Sequence, residues 1–279
     1  MGRSNGCTYT IGDKKYEVYC DENGKYYVST ESGDGKQEYD LGTEKKALKF
    51  ILSAFKADGS RRSGKKVDLN SLTWEKIAEY AESGKAAQMF EIGDTKDFTL
   101  TTGEQCKAVI LDFNHDPLAS DTSKTAGITF GMLNCLEGAY VMNNEWTNEG
   151  GYVRSKMFET VEKVFCDKLP DDMQKHIKCV HKNEGAEIGQ FYAKAFLLSE
   201  VEVFGTTDCS YEGEGAQYPY FEKEENRIKK LGENGSAYYW WLRSPRSTAS
   251  AIFCLVFSDG ALSSGSASSA RGLSAGFCV

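Results

Sequence analysis

The chain has 279 residues, with 33 Lys and Arg against 41 Asp and Glu and a formal net charge of -8. This acidic balance argues against a nucleic-acid binder, because such proteins gain affinity from Lys and Arg at the phosphates. No apolar run approaches the roughly 20 residues that cross a bilayer, so we expect no membrane insertion. The first residues also lack the apolar core of a signal peptide.

Residues 1–69 predict a small N-terminal module. Three alternating runs between residues 7 and 30, separated by Gly12-Asp13 and Asn23-Gly24, predict a three-strand β-meander. A helix is predicted over residues 43–56, where Thr43 precedes a one-sided apolar pattern. The polar residues 58–66 that follow are typical of a linker.

Residues 70–279 predict a second, larger domain with strands and helices mixed. Because no regular βαβ alternation appears, we predict the α+β class. We expect a loop-rich segment over residues 114–153, helices over 72–83, 154–169, 171–177 and 221–231, and strands over 90–100, 106–114, from 179 onward, and over 194–204.

The reactive residue types form no recognisable enzyme or metal motif. The 9 Cys include no C-x-x-C pair, and none of the 3 His has zinc-ligand spacing with a Cys. We expect reduced thiols in the core; a Cys7–Cys20 bridge across the first hairpin stays open. His115, between Asn114 and Asp116, favours a structural loop over a thiol-based catalytic site. We therefore predict no catalytic residue, no metal and no cofactor.

The last part of the chain differs in composition from the rest. The aromatic run Tyr238-Tyr239-Trp240-Trp241 leads into Leu-Arg-Ser-Pro, and residues 246–279 are then rich in Ser, Ala and Gly. No Lys, Glu, Gln, Met or Trp occurs in residues 246–279, although all five types occur upstream. Codons that end in a pyrimidine never encode these five types. Randomised Asn codons would give this composition, and so would a packed region without long side chains.

The C-terminal part of the chain contains the motifs WWLRSP at residues 240–245, Phe253-Cys254, Ser258-Asp259-Gly260 and GFCV at residues 276–279. Together these motifs resemble a C-terminal domain family of unknown function from gut bacteria and their phages. The resemblance covers roughly residues 70–279. Upstream it rests on WEKI at residues 74–77, Ile92-Gly93-Asp94, FNHD at residues 113–116, GITF at residues 127–130 and Gln217-Tyr218. The chain is similar in particular to the variable proteins of diversity-generating retroelements.

This resemblance implies a C-type-lectin-like fold over residues 70–279 with a variable region at residues 246–279. Trp240, Trp241 and Arg243 would be scaffold, and the diversified positions would bind the ligand. Strand alternation gives partial support, because Leu255 and Phe257 face outward if Cys254 and Val256 are core. With the opposite facing, Leu255 and Phe257 are both ordinary core residues. The assigned ligand-binding positions are Arg246, Thr248, Ala249, Ala251, Ile252, Leu255, Phe257, Asp259, Ala261, Leu262, Ser264, Gly265, Ser266, Ser269 and Arg271.

The expected partner is a protein or a cell-surface molecule, recognised on a phage virion or a bacterial surface. Two alternatives stay open. One is an enzyme of the formylglycine-generating type on the same fold, in which Cys254 or Cys278 would be reactive. The other is an invariant structural or adhesive domain, such as a phage tail component.

Overall fold

A computed structural model describes residues 4–11, 14–23, 25–32, 35–43, 46, 47, 50 and 67–279. The contacts divide the chain into two compact units, Met1–Lys65 and Lys66–Val279. Among the described residues, no helix is long and apolar enough to span a bilayer.

The first unit contains an antiparallel four-stranded sheet in which the strands follow one another in chain order. Its strands are β1 (Ser4–Ile11), β2 (Lys14–Cys20), β3 (Tyr26–Ser32) and β4 (Gly35–Gly42). The meander therefore has one strand more than the three predicted. Tyr16, Val18 and Val28 are buried. The helix predicted over residues 43–56 lies largely outside the described residues, and so does the side chain of Cys7.

The second unit has few helices, and all of them are short. Helix α1 begins where the Thr73 side chain accepts a hydrogen bond from the backbone N–H of Lys76, which is a standard N-cap. The helices are α1 (Trp74–Glu82), α2 (Ala86–Met89), α3 (Lys156–Val164), α4 (Asp171–Gln174) and α5 (Glu200–Phe204). Single 3-10 turns lie at Leu69–Ser71, Cys166–Lys168, Pro219–Glu222 and Glu224–Arg227.

Strands make up most of the regular secondary structure of this unit. The strands are β5 (Thr95–Thr99), β6 (Gln105–Phe113), β7 (Pro117–Leu118), β8 (Asp121–Thr125), β9 (Ile128–Met132), β10 (Ala139–Val141), β11 (Val180–Asn183), β12 (Gln190–Ala193), β13 (Ala195–Leu197), β14 (Lys229–Lys230), β15 (Ala237–Tyr238), β16 (Trp240–Pro245), β17 (Ile252–Val256), β18 (Leu262–Ser266), β19 (Ala270–Gly272) and β20 (Ala275–Cys278). The sheet orders are β10-β19-β16-β17-β18, β13-β20-β9-β6-β5, β12-β11-β7-β8 and β14-β15. Paired strands are antiparallel except β16 and β19. The chain is thus of the predicted α+β class.

The last strand lies inside the core. Phe277 stacks on Phe130 at 5.4 Å between ring centroids, and it contacts Trp74 at 6.0 Å and Phe165 at 6.1 Å. Burying these aromatic rings supplies much of the hydrophobic driving force. The C-terminal GFCV run is therefore a structural strand.

Two predicted elements were wrong. The strand expected over residues 194–204 is β13 followed by α5, because Ser199 and Glu202 form a reciprocal capping box that begins a helix. The helix expected over residues 221–231 is replaced by 3-10 turns and β14. In that segment Lys229 is buried and donates to the carbonyls of Met132 and Leu133, so its charge does not mark a solvent-facing side.

The segment predicted to be rich in loops, residues 114–153, also contains four short strands, β7 to β10. Gly127 in this segment also permits a close contact with α1. A Cβ there would lie 2.5 Å from the carbonyl oxygen of Ala81. The absent side chain lets α1 approach the sheet closely.

Candidate functional site

Strand β16 carries the aromatic residues that were predicted to be scaffold. Trp240 and Trp241 are fully buried. Each indole N–H has a backbone acceptor: Trp240 Nε1 donates to the Arg227 carbonyl at 2.9 Å, and Trp241 Nε1 donates to the Tyr140 carbonyl at 2.8 Å. Because both polar atoms are paired, the rings can be buried without an unsatisfied group.

Arg243 anchors the same strand through a buried ion pair with Glu202. Its guanidinium also donates to the carbonyls of Leu197 at 3.0 Å and Glu214 at 2.7 Å. Burial alone would lower the pKa of Arg243, but the charge and hydrogen bond of Glu202, with the nearby Glu214, hold it well above its usual value. Removing one partner of such a pair leaves an uncompensated buried charge, so the network fixes the position of β16.

The ion-pair network continues from Glu202 through Lys182 to Asp116. The Lys182 ammonium lies 2.6 Å from Asp116 Oδ1, and the Tyr218 hydroxyl lies 3.0 Å from Asp116 Oδ2. Burial alone would raise the pKa of Asp116, but the Lys182 charge and hydrogen bond lower it to about 2. The ionised Asp116 carboxylate therefore has a structural role, because it pairs with Lys182 on β11 and accepts a hydrogen bond from the Tyr218 hydroxyl.

His115 and Cys278 both lie near Asp116. His115 Nδ1 is 2.7 Å from Asp112 Oδ2, and Cys278 Sγ is 3.6 Å from Asp116 Oδ2. Cys278 is fully buried, and burial together with the Asp116 charge raises the pKa of its thiol well above the usual value. A thiol in this environment stays protonated and is a poor nucleophile.

Strands β17 and β18 form a hairpin that ends the sheet at its β18 edge. Cys254, Leu255 and Val256 are all buried, so β17 is covered on both faces. The expectation that Leu255 is exposed was therefore wrong. Its side chain lies beneath Gly265, where an added Cβ would be 2.9 Å from Leu255 Cδ2.

The other assigned positions all have accessible surface. Phe257, at the end of the hairpin strand, has an exposed fraction of 38%. Thr248, Asp259 and Ala261 are also exposed. The half-buried assigned positions are Arg246, Ala249, Ala251, Ile252, Leu262, Ser264, Gly265, Ser266, Ser269 and Arg271. All the assigned positions except Leu255 together form what we call the candidate contact surface.

Side-chain contacts divide part of this surface into two groups. In the first, Phe257 packs edge-on against Tyr239 at 4.5 Å, and the Arg271 guanidinium lies 5.5 Å from the same ring. In the second, Arg246 donates to the Ser264 hydroxyl at 2.9 Å and to Thr248 Oγ1 at 3.2 Å. The first group offers an aromatic and cationic patch, and the second offers hydrogen-bonding groups.

The backbone under the second group is supported from outside the hairpin by Asn148. Its side-chain amide donates to the carbonyls of Ala249 at 2.8 Å and Ile252 at 2.9 Å, with a longer contact to Arg246 O at 3.4 Å. Its backbone N–H donates to Ser250 O at 2.8 Å. All these acceptors are main-chain carbonyls, so the support does not depend on the side chains at residues 246–252.

The same loop contributes two further features that the sequence did not predict. The backbone N–H of Asn143 donates to Ala267 O at 2.9 Å, beside the end of β18. Trp146 has 72% of its surface exposed, the largest fraction among the big apolar side chains of the described residues. The dense run of Asn and Glu around Trp146 was the available signal, but it is typical of any polar loop.

Residues 126–279 match the model of DUF6273, a domain of unknown function. The match covers more than half of the chain, and the chain belongs to this family. It includes β16, the hairpin and the loop that carries Asn148. No significant match is found among curated proteins or among solved structures.

Proposed function

We propose that this chain is a ligand-binding protein whose C-terminal surface is diversified, as in the variable proteins of diversity-generating retroelements. In this proposal residues 70–279 have a C-type-lectin-like fold, and the candidate contact surface recognises a protein or a cell-surface receptor. The site does no chemistry. Specificity lies in which side chains the fixed backbone carries.

The observation that carries the proposal is the agreement between composition and burial in residues 246–271. Every assigned position except Leu255 is exposed or half-buried. Phe253, Cys254 and Gly260, which belong to the family motifs, are buried. Positions assigned from the resemblance thus also lie where substitution costs little, because surface changes are usually within about 0.5 kcal/mol.

The main-chain support from Asn148 favours the same function. A surface that accepts many side chains needs a backbone held by contacts that those side chains do not make. The paired carbonyls of Ala249, Ser250 and Ile252 meet this need. A contact surface held in one conformation also loses less entropy on binding, which raises the affinity for a given set of side chains.

The enzyme alternative depends on a reactive cysteine, and the environments of both candidates weigh against it. Cys254 and Cys278 are buried, and burial with nearby carboxylates raises the pKa of both thiols. Catalytic cysteines need the opposite shift.

A library experiment tests the proposal. Each codon of residues 246–271 is randomised singly in the full chain, and folded variants are selected by protease resistance. We expect broad tolerance at the candidate contact surface and intolerance at Phe253, Cys254 and Leu255. Leu255 and Phe257 form a matched pair, since both are large apolar residues two positions apart. Equal intolerance at Phe257 and at most other assigned positions would identify them as packing sites and contradict the proposal.

A further inference from the structure

Three potential metal ligands from separate segments meet behind the hairpin. Glu200 lies at the start of α5, Cys209 in the loop that follows, and Cys254 in β17. One ligand atom from each lies within 4.8 Å of the other two. Cys254 Sγ is 3.7 Å from Glu200 Oε2. Cys209 is half-buried, whereas Glu200 and Cys254 are buried.

The Glu200 carboxylate is already oriented. Its oxygens accept the backbone N–H groups of Cys209 at 3.0 Å and Ser210 at 2.7 Å, and its own N–H donates to Ser244 Oγ at 2.8 Å. Hydrogen bonds that fix a ligand in this way are characteristic of metal sites. The preorganised carboxylate and the two thiols therefore need only small side-chain movements to converge on one ion.

A second buried carboxyl group adjoins the cluster. Glu214 Oε2 accepts the hydroxyls of Ser210 at 3.1 Å and Ser244 at 2.5 Å, and both serines also bond to Glu200. Glu214 Oε1 is buried, and no donor reaches it among the described residues. Ser210 and Ser244 thus connect the cluster to a carboxyl group that keeps one buried oxygen without a hydrogen bond in the described part of the chain, which is unusual in a protein core.

We propose that Glu200, Cys209 and Cys254 form a binding site for a zinc ion. Thiolate sulfur and carboxylate oxygen are both zinc ligands, and a tetrahedral ion with Zn–S bonds of about 2.3 Å holds its sulfurs about 3.8 Å apart. Binding releases one proton from each thiol to solvent. A water molecule or a further protein oxygen would take the fourth position of the tetrahedral ion.

The site would stabilise the base of the candidate contact surface. Cys209 O accepts the backbone N–H of Ser247 at 3.0 Å, so the ion would cross-link α5, the loop at Cys209 and β17 next to residues 246–252. None of the three ligands is an assigned contact position. The inference therefore stands apart from the proposed function. Spacing motifs miss the site because its cysteines are far apart in the sequence.

Cobalt provides a spectroscopic probe. The full chain, freed of metal by a chelator and kept reduced, is titrated first with Co²⁺ and then with Zn²⁺. We expect a sulfur-to-cobalt charge-transfer band that saturates at one equivalent, disappears when Zn²⁺ is added, and coincides with the loss of two titratable thiols. Cys209→Ser and Cys254→Ser should both abolish the band. Cys209→Ser is the decisive variant, because this half-buried position tolerates the change without unfolding.

Cys179→Ser is the matched control, since Cys179 is an exposed thiol outside the cluster and its replacement should leave the band unchanged. The proposal is overturned by three results. The first is absence of one-to-one binding. The second is an unchanged band in folded Cys209→Ser. The third is a Cys209–Cys254 disulfide in protein purified without reductant, detected as a mass lower by two hydrogens and a cross-linked peptide.

Discussion

Replacing Asn148 by Ala removes the side chain that holds residues 246–252 in place. The amide makes two well-formed hydrogen bonds, 2.8 Å to Ala249 O and 2.9 Å to Ile252 O. Each such bond contributes about 1 kcal/mol net, so we expect Asn148→Ala to lower the free energy of unfolding by about 2 kcal/mol. The contact to Arg246 O at 3.4 Å is too long to add much.

Equilibrium urea unfolding of the full chain, followed by tryptophan fluorescence, measures this loss. Asn226→Ala is the matched control, because that amide makes one hydrogen bond, 2.7 Å to Tyr220 O, outside residues 246–252. It should cost about 1 kcal/mol. Asn148→Asp should cost at least as much as Asn148→Ala, since a carboxylate oxygen would then face the same carbonyls.

The reasoning is refuted if Asn148→Ala stays within about 0.5 kcal/mol of the unmodified chain, the range of an ordinary surface substitution. Side-chain changes at Ala249 or Ile252 that cost more than the loss of Asn148 would also contradict it. In that case the segment would be held by its own side chains, and a diversified sequence could not keep one backbone.

The remaining predictions concern the scaffold and its buried charges. Trp241→Ala should lower the free energy of unfolding by about 3–5 kcal/mol in the same urea assay, because it truncates a core side chain. Thr248→Ser, Ala251→Ser and Ser266→Thr should each change it by no more than about 0.5 kcal/mol. A large loss in these three variants would identify their positions as packing sites. Burial raises the pKa of Glu184 and Glu214 to about 7 from 4.5. The protonated form of each group stabilises the folded chain, and this contribution is complete below 4.5, the pKa in the unfolded chain. It is lost as pH rises through about 7, which lowers the free energy of unfolding by about 3 kcal/mol for each group. Urea unfolding at pH 5 and pH 8 should show this decrease, and Glu184→Gln should reduce it; an equal slope in that variant would exclude Glu184 as a source. Asp116 acts oppositely, because its pKa is lowered to about 2 from 3.8. Its contribution of about 2 kcal/mol is present above pH 4 and should be lost as pH falls through 2.

Local signals in the sequence predicted much of the fold. The apolar pattern over residues 72–83 placed α1 within two residues of its observed start, Trp74. The α+β class followed from the mixture of strand and helix patterns. Segments whose structure is decided by distant contacts were missed. Lys229 is the clearest case, since a charged residue that predicts an exposed helix is instead held by two carbonyls about a hundred residues earlier in the chain.

The ligand-binding positions were assigned from residue types and a resemblance, and burial separates Leu255 from the other assigned positions. Alternation along β17 placed Leu255 and Phe257 on the same side, but it does not tell which side is covered. Leu255 lies under Gly265, and Phe257 lies past the end of the strand. Asn148 was not predictable, because it acts on main-chain carbonyls that no sequence pattern specifies.

The most direct test of the central claim is sequencing of the codons for residues 246–271 in many copies of the gene from one source population. The flanking DNA is examined for a near-identical repeat rich in Asn codons and for a reverse transcriptase. The account predicts variation that is confined to pyrimidine-ending codons and concentrated at the candidate contact surface, with Phe253, Cys254 and Val256 unchanged. An invariant sequence without a nearby repeat would contradict it, and the absence of Lys and Glu from this region would then reflect packing alone.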